Sequence, residues 1–140
     1  YSGNGVSAAA AKAVIERLET GEPMDRIKRT GTALMRGIEQ ILADRGLAGH
    51  VVGHPSMFSV FLGEEAPREY RDTVHHDARV YDNTVMGMIE RGVMPCPDGR
   101  EPWFICAAHT DEDVATSLQV FDEALGETLA KAGSLRDIND

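Results

Sequence analysis

The chain has 140 residues, a length that corresponds to one ordinary domain, and 42% of them are hydrophobic, which is enough to form a core. With 14 lysines and arginines against 23 aspartates and glutamates, its formal net charge is -9, and the basic residues are scattered along the sequence. A surface of this charge repels phosphate backbones, so nucleic-acid binding is not expected.

The first third of the sequence predicts two helices. Residues 8–19 consist largely of strong helix formers, beginning with a run of alanines, and Thr20 and Gly21 end the stretch. A second helix is predicted over 24–45, because apolar residues recur there at steps of three and four and give one buried face. Gly46 ends this helix.

The middle of the sequence predicts a pair of strands and a third helix. Residues 50–54 and 56–63 are rich in β-forming side chains and bounded by glycine and proline, which is typical of strands. The polar stretch 64–69 is a predicted loop. Apolar spacing then predicts one continuous helix over 70–91, with Gly92 as its cap.

The last part predicts two further strands and a final helix. The strands are expected at 93–96 and 103–108. Thr110, followed by the acidic residues Asp111–Asp113, is typical of a helix start, and this helix is expected to end near Gly133. The sequence therefore predicts an α+β fold with a small, mostly antiparallel sheet of about four strands and helices on one side.

The most compact group of potential metal ligands is His75-His76-Asp77. On a continuous helix, neighbouring side chains point about 100° apart, so these imidazoles do not bind one metal as residues four apart would. We interpret the group as a solvated helix face. His50 and His54 are roughly 13 Å apart along a strand, which excludes a direct metal pair there. The sequence therefore predicts no metal site.

The potential nucleophiles are Cys96, Cys106 and Ser56, and none lies in a recognisable catalytic motif. The spacing of the two cysteines fits no zinc site, and both are expected to be small core hydrophobes in a reducing cytosol. Burial in a strand would leave Cys106 unreactive. We interpret His109 as a loop residue that fixes the start of the last helix. The residues alone supply no complete catalytic site.

The turn Ser2–Gly5 precedes the alanine-rich helix, so its backbone N–H groups could bind an anion or could simply cap the helix. The chain begins inside this turn, at Tyr1 and without a methionine, and we therefore expect a piece of a longer polypeptide. The longest strongly apolar run, Met57–Leu62, is far too short to cross a bilayer, so no membrane association is expected.

Four stretches together resemble the class III, pyridoxal-phosphate-dependent aminotransferases, and specifically their glutamate-1-semialdehyde 2,1-aminomutase branch. They are Ser2–Asn4 before the alanine-rich helix, Ser56–Phe58, Met88–Val93 and Ala108–Asp113. In that branch, similar motifs occur in the same order and at similar spacing. The resemblance covers nearly all of residues 1–133.

The resemblance implies a cytoplasmic, homodimeric fold-type-I enzyme that is α/β overall and moves an amino group on a small amino-acid-like substrate. Residues 1–20 would link from a missing N-terminal cofactor-binding domain, 21–133 would form the C-terminal small domain, and 134–140 a polar tail. The lysine that forms the Schiff base with pyridoxal phosphate would lie before Tyr1. The 140-residue chain alone is therefore not expected to be active, and its own lysines are interpreted as surface charges: Lys12, Lys28 and Lys131.

The resemblance also implies site residues. Ser2 and Asn4 match the turn that borders the cofactor's phosphate, and Glu101 falls without a gap on the glutamate that the aminomutases place at the substrate mouth. Arg100 replaces an aromatic residue, and Pro102-Trp103 replaces a small pair, so the pocket wall differs. The alternatives are an ω- or β-amino-acid transaminase of the same class, and a non-catalytic α+β interaction domain.

Overall fold

The structure is a computed structural model that describes residues 3–136, and within that range helices and a small antiparallel sheet form an α+β fold, as predicted. The elements, in chain order, are α1 (Gly5–Leu18), α2 (Glu22–Asp44), β1 (Gly49–His54), β2 (Met57–Leu62), a 3-10 helix (Tyr70–His75), α3 (Ala78–Glu90), β3 (Trp103–Phe104) and α4 (Asp111–Arg136). The last helix continues past its predicted end at Gly133.

The sheet is a hairpin with one short added strand, in the order β1-β2-β3. The register of β1 and β2 runs from the pair Gly49 and Leu62 to the pair His54 and Met57. Strand β3 is much shorter, because it pairs with β2 only through Trp103 and Phe104.

The sheet therefore has three strands in the described part of the chain, and the prediction of about four strands is corrected. Residues 93–96 form no strand: the Val93 N–H completes the turn after α3 by donating to Met88, Pro95 has no N–H to donate, and the Cys96 carbonyl accepts from a side chain. The predicted strand at 103–108 ends early, because the chain turns where His109 N–H donates to the Cys106 carbonyl.

The core lies between one face of the sheet and helices α2, α3 and α4. Phe58, Val60 and Leu62 alternate along β2 on the face that joins the core. The predicted apolar face of α2 is confirmed, since Leu34, Ile38 and Leu42 are buried, and α4 likewise buries Phe121 and Leu125. Trp103 links sheet and helix, with its ring 5.9 Å from that of Phe58 and 6.4 Å from that of Phe121.

The predicted continuous helix over 70–91 is wrong, because the chain breaks it at residues 76 and 77. The Asp77 carboxylate accepts from Val80 N–H at 3.0 Å and starts α3 as its N-cap, while Asp77 N–H donates to the Leu62 carbonyl at 2.8 Å. The 3-10 helix before the break packs poorly: Tyr70 and Val74, which the periodicity placed on a buried face, are 73% and 77% exposed.

Helix α1 differs from the others because none of its residues is buried. Its apolar side chains stay exposed: Val6, Val14, Ile15 and Leu18. No helix within residues 3–136 is both long enough and apolar enough to cross a membrane.

Candidate functional site

Glu101 lies on a tight loop, residues 97–102, that leads into β3. The Asp98 carboxylate accepts from the Arg100 backbone N–H at 2.9 Å and from the Arg100 side chain at 2.9 Å and 2.7 Å. These hydrogen bonds lower the pKa of Asp98 to about 2. Glu101 N–H then donates to the Asp98 carbonyl at 3.0 Å, which closes the turn.

This loop presents one free carboxylate. The Arg100 guanidinium folds back onto Asp98, and its positive charge is offset there. The Glu101 side chain is exposed and has no hydrogen bond or ion pair with any residue that the structure describes. The predicted site residue is therefore available to bind a cationic group from outside this part of the chain.

Two buried aromatic residues fix both ends of the loop. The Tyr81 hydroxyl donates to the Cys96 carbonyl at 2.8 Å and accepts from the Trp103 indole N–H at 2.9 Å. Burial raises the pKa of Tyr81 to about 12, so the hydroxyl stays protonated near neutral pH. In the sequence, Tyr81 is only an apolar position on a predicted helix, and its polar role depends on contacts with residues distant along the chain.

His76 lies beneath the loop, and the prediction of a solvated helix face is wrong for it. Its ring is half-buried between Phe61 and Tyr81, with both ring centroids 5.2 Å away. The Nδ1 atom accepts from Leu62 N–H at 3.0 Å. Burial lowers the pKa of this imidazole, so the neutral ring is favoured.

The other two members of the predicted cluster have different surroundings. His75 is exposed at the end of the 3-10 helix, and Asp77 caps α3. The break between the two helices separates their environments, so the three residues do not form one surface. In residues 3–136, no three histidine, cysteine, aspartate or glutamate side chains come together as a metal site.

The cysteines also differ from each other. Cys96 is half-buried against the core, as predicted. Cys106 is exposed, so the prediction that it is buried in a strand is wrong, because β3 ends before it. Its Sγ atom lies 3.3 Å from Nδ1 of His109, which also accepts from Cys106 N–H at 3.1 Å. His109 thus stabilises the turn before α4, as predicted.

The remaining polar candidates make local contacts. His50 Nε2 lies 3.1 Å from the Glu64 carbonyl, and His54 Nδ1 lies 2.9 Å from the Ser56 hydroxyl. Thr110 caps α4 as predicted, with Asp113 N–H donating to its hydroxyl at 3.2 Å and the Asp113 carboxylate accepting from its N–H at 2.7 Å.

The turn before α1 holds the other predicted site residue. The Asn4 side chain accepts from Ser7 N–H at 3.0 Å and caps the helix, which leaves the N–H groups of Gly5 and Val6 without a partner among the described residues. Ser2 lies outside the described residues. No hydrogen bond, ion pair or ring contact within residues 3–136 joins Asn4 to Glu101. The three lysines are exposed on helices: Lys12, Lys28 and Lys131.

The sequence of the chain is similar to that of a known aminomutase. The chain is 34% identical over 125 residues to a glutamate-1-semialdehyde 2,1-aminomutase of Methanopyrus kandleri, a match that covers 89% of the chain and 29% of that protein. No family model matches the chain. The chain spans about 29% of the length of the Methanopyrus kandleri protein.

The fold is shared with solved structures. An omega-transaminase from Sphaerobacter thermophilus matches with a TM-score of 0.80 at 23% identity, over 90% of the chain and 28% of that protein. A glutamate-1-semialdehyde-aminomutase from Pseudomonas aeruginosa PAO1 matches with a TM-score of 0.79 at 21% identity, over 90% and 28%. The chain is therefore homologous to part of the glutamate-1-semialdehyde 2,1-aminomutases, which confirms the resemblance predicted from its four sequence motifs.

Proposed function

We propose that this chain is the C-terminal part of a pyridoxal-phosphate-dependent enzyme of the glutamate-1-semialdehyde aminomutase type, which moves an amino group on a small amino-acid-like substrate. The observation that carries the proposal is the 34% identity to an aminomutase over 125 residues. Residues 1–20 would link from a cofactor-binding domain, residues 21–133 would form the small domain, and 134–140 a tail. The enzyme would be a cytoplasmic homodimer.

The described residues fit one edge of such a cofactor. The turn at Asn4 has two backbone N–H groups without a partner in residues 3–136 at a helix N-terminus, a place where a phosphate is favoured by hydrogen bonding and by the helix dipole. The lysines of the chain are exposed on helices, so the lysine that binds the cofactor is expected in the rest of the enzyme. Pyridoxal phosphate, when bound, supplies the electron sink that makes amino-group transfer possible.

Glu101 would act on the substrate rather than on the cofactor. Its carboxylate is exposed, unpaired among the described residues and held on a closed turn, so it can accept hydrogen bonds from a protonated amine without first breaking another contact. Arg100, which could compete for Glu101, is instead bound to Asp98. The role of Glu101 is therefore to attract and orient the amino group at the substrate mouth.

The function is tested with the full-length enzyme that contains this chain. Purified enzyme is expected to carry pyridoxal phosphate and to convert glutamate-1-semialdehyde to its amino isomer without an added amino acceptor. Loss of bound cofactor after removal of the upstream domain would agree with the proposed division. An enzyme that binds no pyridoxal phosphate would contradict the proposal.

A second candidate is an ω-transaminase, which is supported by the fold match to an omega-transaminase and by the altered wall around Arg100 and Trp103. This activity would need a separate keto-acid acceptor, whereas an aminomutase would not. Turnover of an amine only after a keto acid is added would favour the transaminase over the aminomutase.

We predict that Glu101→Gln in the full-length enzyme lowers kcat/KM for the amino substrate by about 10- to 100-fold, equivalent to about 1–3 kcal/mol for a charged hydrogen bond. Cofactor content should not change. Glu65→Gln, which alters an exposed loop carboxylate elsewhere, is the matched control. Wild-type kinetics with every donor would show that Glu101 is only a surface residue, and loss of cofactor would show that it touches the cofactor site.

A further inference from the structure

His76 has a buried polar atom that no hydrogen bond satisfies. Its Nε2 is the one such side-chain atom found among the residues that the structure describes. Because Nδ1 accepts from Leu62 N–H, the proton of the neutral ring is assigned to Nε2, which therefore is a buried donor without an acceptor. Native structures avoid such groups, so an exception at this position calls for a reason.

The backbone of the Glu101 loop rests directly on this atom. A Cβ added to Gly99 would lie 2.2 Å from Nε2 of His76, 2.9 Å from Cδ2 of the same ring and 3.1 Å from Tyr81 Cδ1. No side chain fits in that space unless the ring or the loop moves. Glycine is needed here because the loop approaches the imidazole edge this closely.

The position of His76 is in turn fixed from below. Leu62, at the end of β2, holds the ring through its N–H and also accepts from Asp77 N–H at 2.8 Å, so the ring and the residue that follows it are tied to the sheet. Phe61 and Tyr81 pack against the ring. The imidazole is therefore a rigid spacer between the sheet and the loop.

The contact between His76 and Gly99 affects Glu101 because Gly99 and Glu101 belong to the same turn. Gly99 lies inside the turn in which Asp98 accepts from both Arg100 and Glu101. Tyr81 fixes the loop at Cys96 and at Trp103, and between these points Gly99 lies against the edge of His76 while the Tyr70 hydroxyl lies near Arg100. A change in the distance of Gly99 from the sheet would therefore move the Glu101 carboxylate.

We propose that His76 is a positioning residue for the substrate: its imidazole edge under Gly99 sets the distance of the 98–101 turn from the sheet and thereby the place of the Glu101 carboxylate. The part of this inference that concerns substrate rests on the proposed function, whereas the position of the loop is a property of this chain. The unsatisfied Nε2 is retained because the ring is needed as a spacer.

Two substitutions at His76 separate positioning from stability. His76→Asn keeps an acceptor for Leu62 N–H but removes the outer ring edge beneath Gly99. His76→Phe keeps a ring beneath Gly99 but removes the acceptor. In the full-length enzyme, His76→Asn should raise the KM of the amino substrate about tenfold with a smaller change in kcat, whereas His76→Phe should raise KM less while lowering the unfolding midpoint more.

The two variants should therefore rank in opposite order for KM and for stability. A purely structural role predicts the same order for both. If KM follows the unfolding midpoint, or if both variants keep the wild-type KM, the proposal is wrong.

Gly99 supplies an independent test through a double-mutant cycle. Gly99→Ala should raise KM in the wild-type background, because the new methyl group meets Nε2. In the His76→Asn background the same change should have a much smaller effect, since the ring edge is gone. An equal effect of Gly99→Ala in both backgrounds would show that the contact with His76 does not cause the rise in KM.

Hydrogen exchange distinguishes failure of this inference from failure of the proposed function. In the full-length protein, whether or not it is active, peptides covering residues 97–103 should exchange about tenfold faster in His76→Asn than in wild type. The reason is that the hydrogen bond from Glu101 N–H to the Asp98 carbonyl is weakened. His76→Phe should change this exchange less. Faster exchange in a protein without aminotransferase or aminomutase activity would support the positioning role and contradict only the proposed substrate. Unchanged exchange would contradict the positioning role.

Discussion

The two segments that carry the predicted site residues are held in very different ways. Among the residues that the structure describes, the Asn4 side chain makes one hydrogen bond, to Ser7 N–H, at the start of a helix with no buried residue. Glu101 lies on a loop whose ends are tied to the buried Tyr81 and whose middle rests on His76. Both segments are at the surface, but only one is fixed by the core.

The comparison shows which site residue is positioned by this chain alone and which would need contacts with the rest of the proposed enzyme. The position of Glu101 follows from side chains within residues 61–103, so it should be the same whenever this domain folds. The orientation of the Asn4 turn follows only from α1, which shares few contacts with α2 and exposes its apolar side chains. The turn at Asn4 therefore needs additional protein to reach a defined place.

The largest expected effect comes from the anchor of the Glu101 loop. Tyr81→Phe removes the hydroxyl that the Cys96 carbonyl and the Trp103 N–H share, and it should lower the free energy of unfolding by about 1–3 kcal/mol. Tyr70→Phe removes the hydroxyl of a mostly exposed tyrosine near Arg100 of the same loop, and because that contact is solvated it should change the free energy of unfolding by less than about 0.5 kcal/mol. Urea unfolding of both variants provides the measurement, and equal effects would contradict a fixed loop.

The pH dependence of stability tests the buried imidazole. Burial lowers the pKa of His76 from its ordinary 6.5, against the opposing effect of three carboxylates: Asp77, Asp82 and Asp98. Because the unfolded chain binds this proton at a higher pH than the folded chain, stability that is present above pH 6.5 is lost as the pH falls. The hydrogen-bonded carboxylates Asp98 and Asp113 have a lowered pKa and contribute to such a loss only below their ordinary 3.8.

We therefore expect the urea midpoint to fall between pH 7 and about pH 5, and His76→Phe to flatten this fall. His75→Phe, which places the same side chain at the exposed neighbouring position, is the control for the substitution itself. A slope that is the same in His76→Phe as in wild type would mean that another group titrates.

Removal of the helix caps should show how separate α1 is from the core. Asn4→Ala is expected to fray α1, at a local cost of about 1 kcal/mol, without a shift of the main unfolding transition. Thr110→Ala removes a cap from α4, which packs in the core, and should lower the main transition. Circular dichroism during unfolding gives both values. A matching shift in the two variants would show that α1 is coupled to the core after all.

The smallest expected effect concerns the exposed apolar side of α1. The 140-residue chain should self-associate weakly through Val14, Ile15 and Leu18, and Ile15→Glu should reduce this association without changing the unfolding midpoint. Light scattering across a range of concentrations measures it. A clean monomer in which α1 is fully protected from hydrogen exchange would contradict the expectation.

The sequence was most informative where a segment interacts with itself. The helices at 8–19 and 24–45, the first two strands and the cap at Thr110 were predicted from spacing, propensity and capping, which act over a few residues. The failures share one cause: a distant part of the chain intervened. Leu62 binds residues 76 and 77 and breaks the third helix, and Tyr81 takes the Cys96 carbonyl that a strand at 93–96 would use.

The sequence by itself determined the similarity to the glutamate-1-semialdehyde 2,1-aminomutases and the local elements, because motifs such as Ala108–Asp113 and helical periodicity depend on residues that are close together along the chain. Only the tertiary structure decided how Glu101 is held. Its neighbours in sequence, Asp98 and Arg100, neutralise each other, while its support comes from His76, a residue that the sequence alone led us to interpret as part of a solvated helix face. A contact between residues far apart in sequence depends on how strands and helices pack, and no local propensity encodes it.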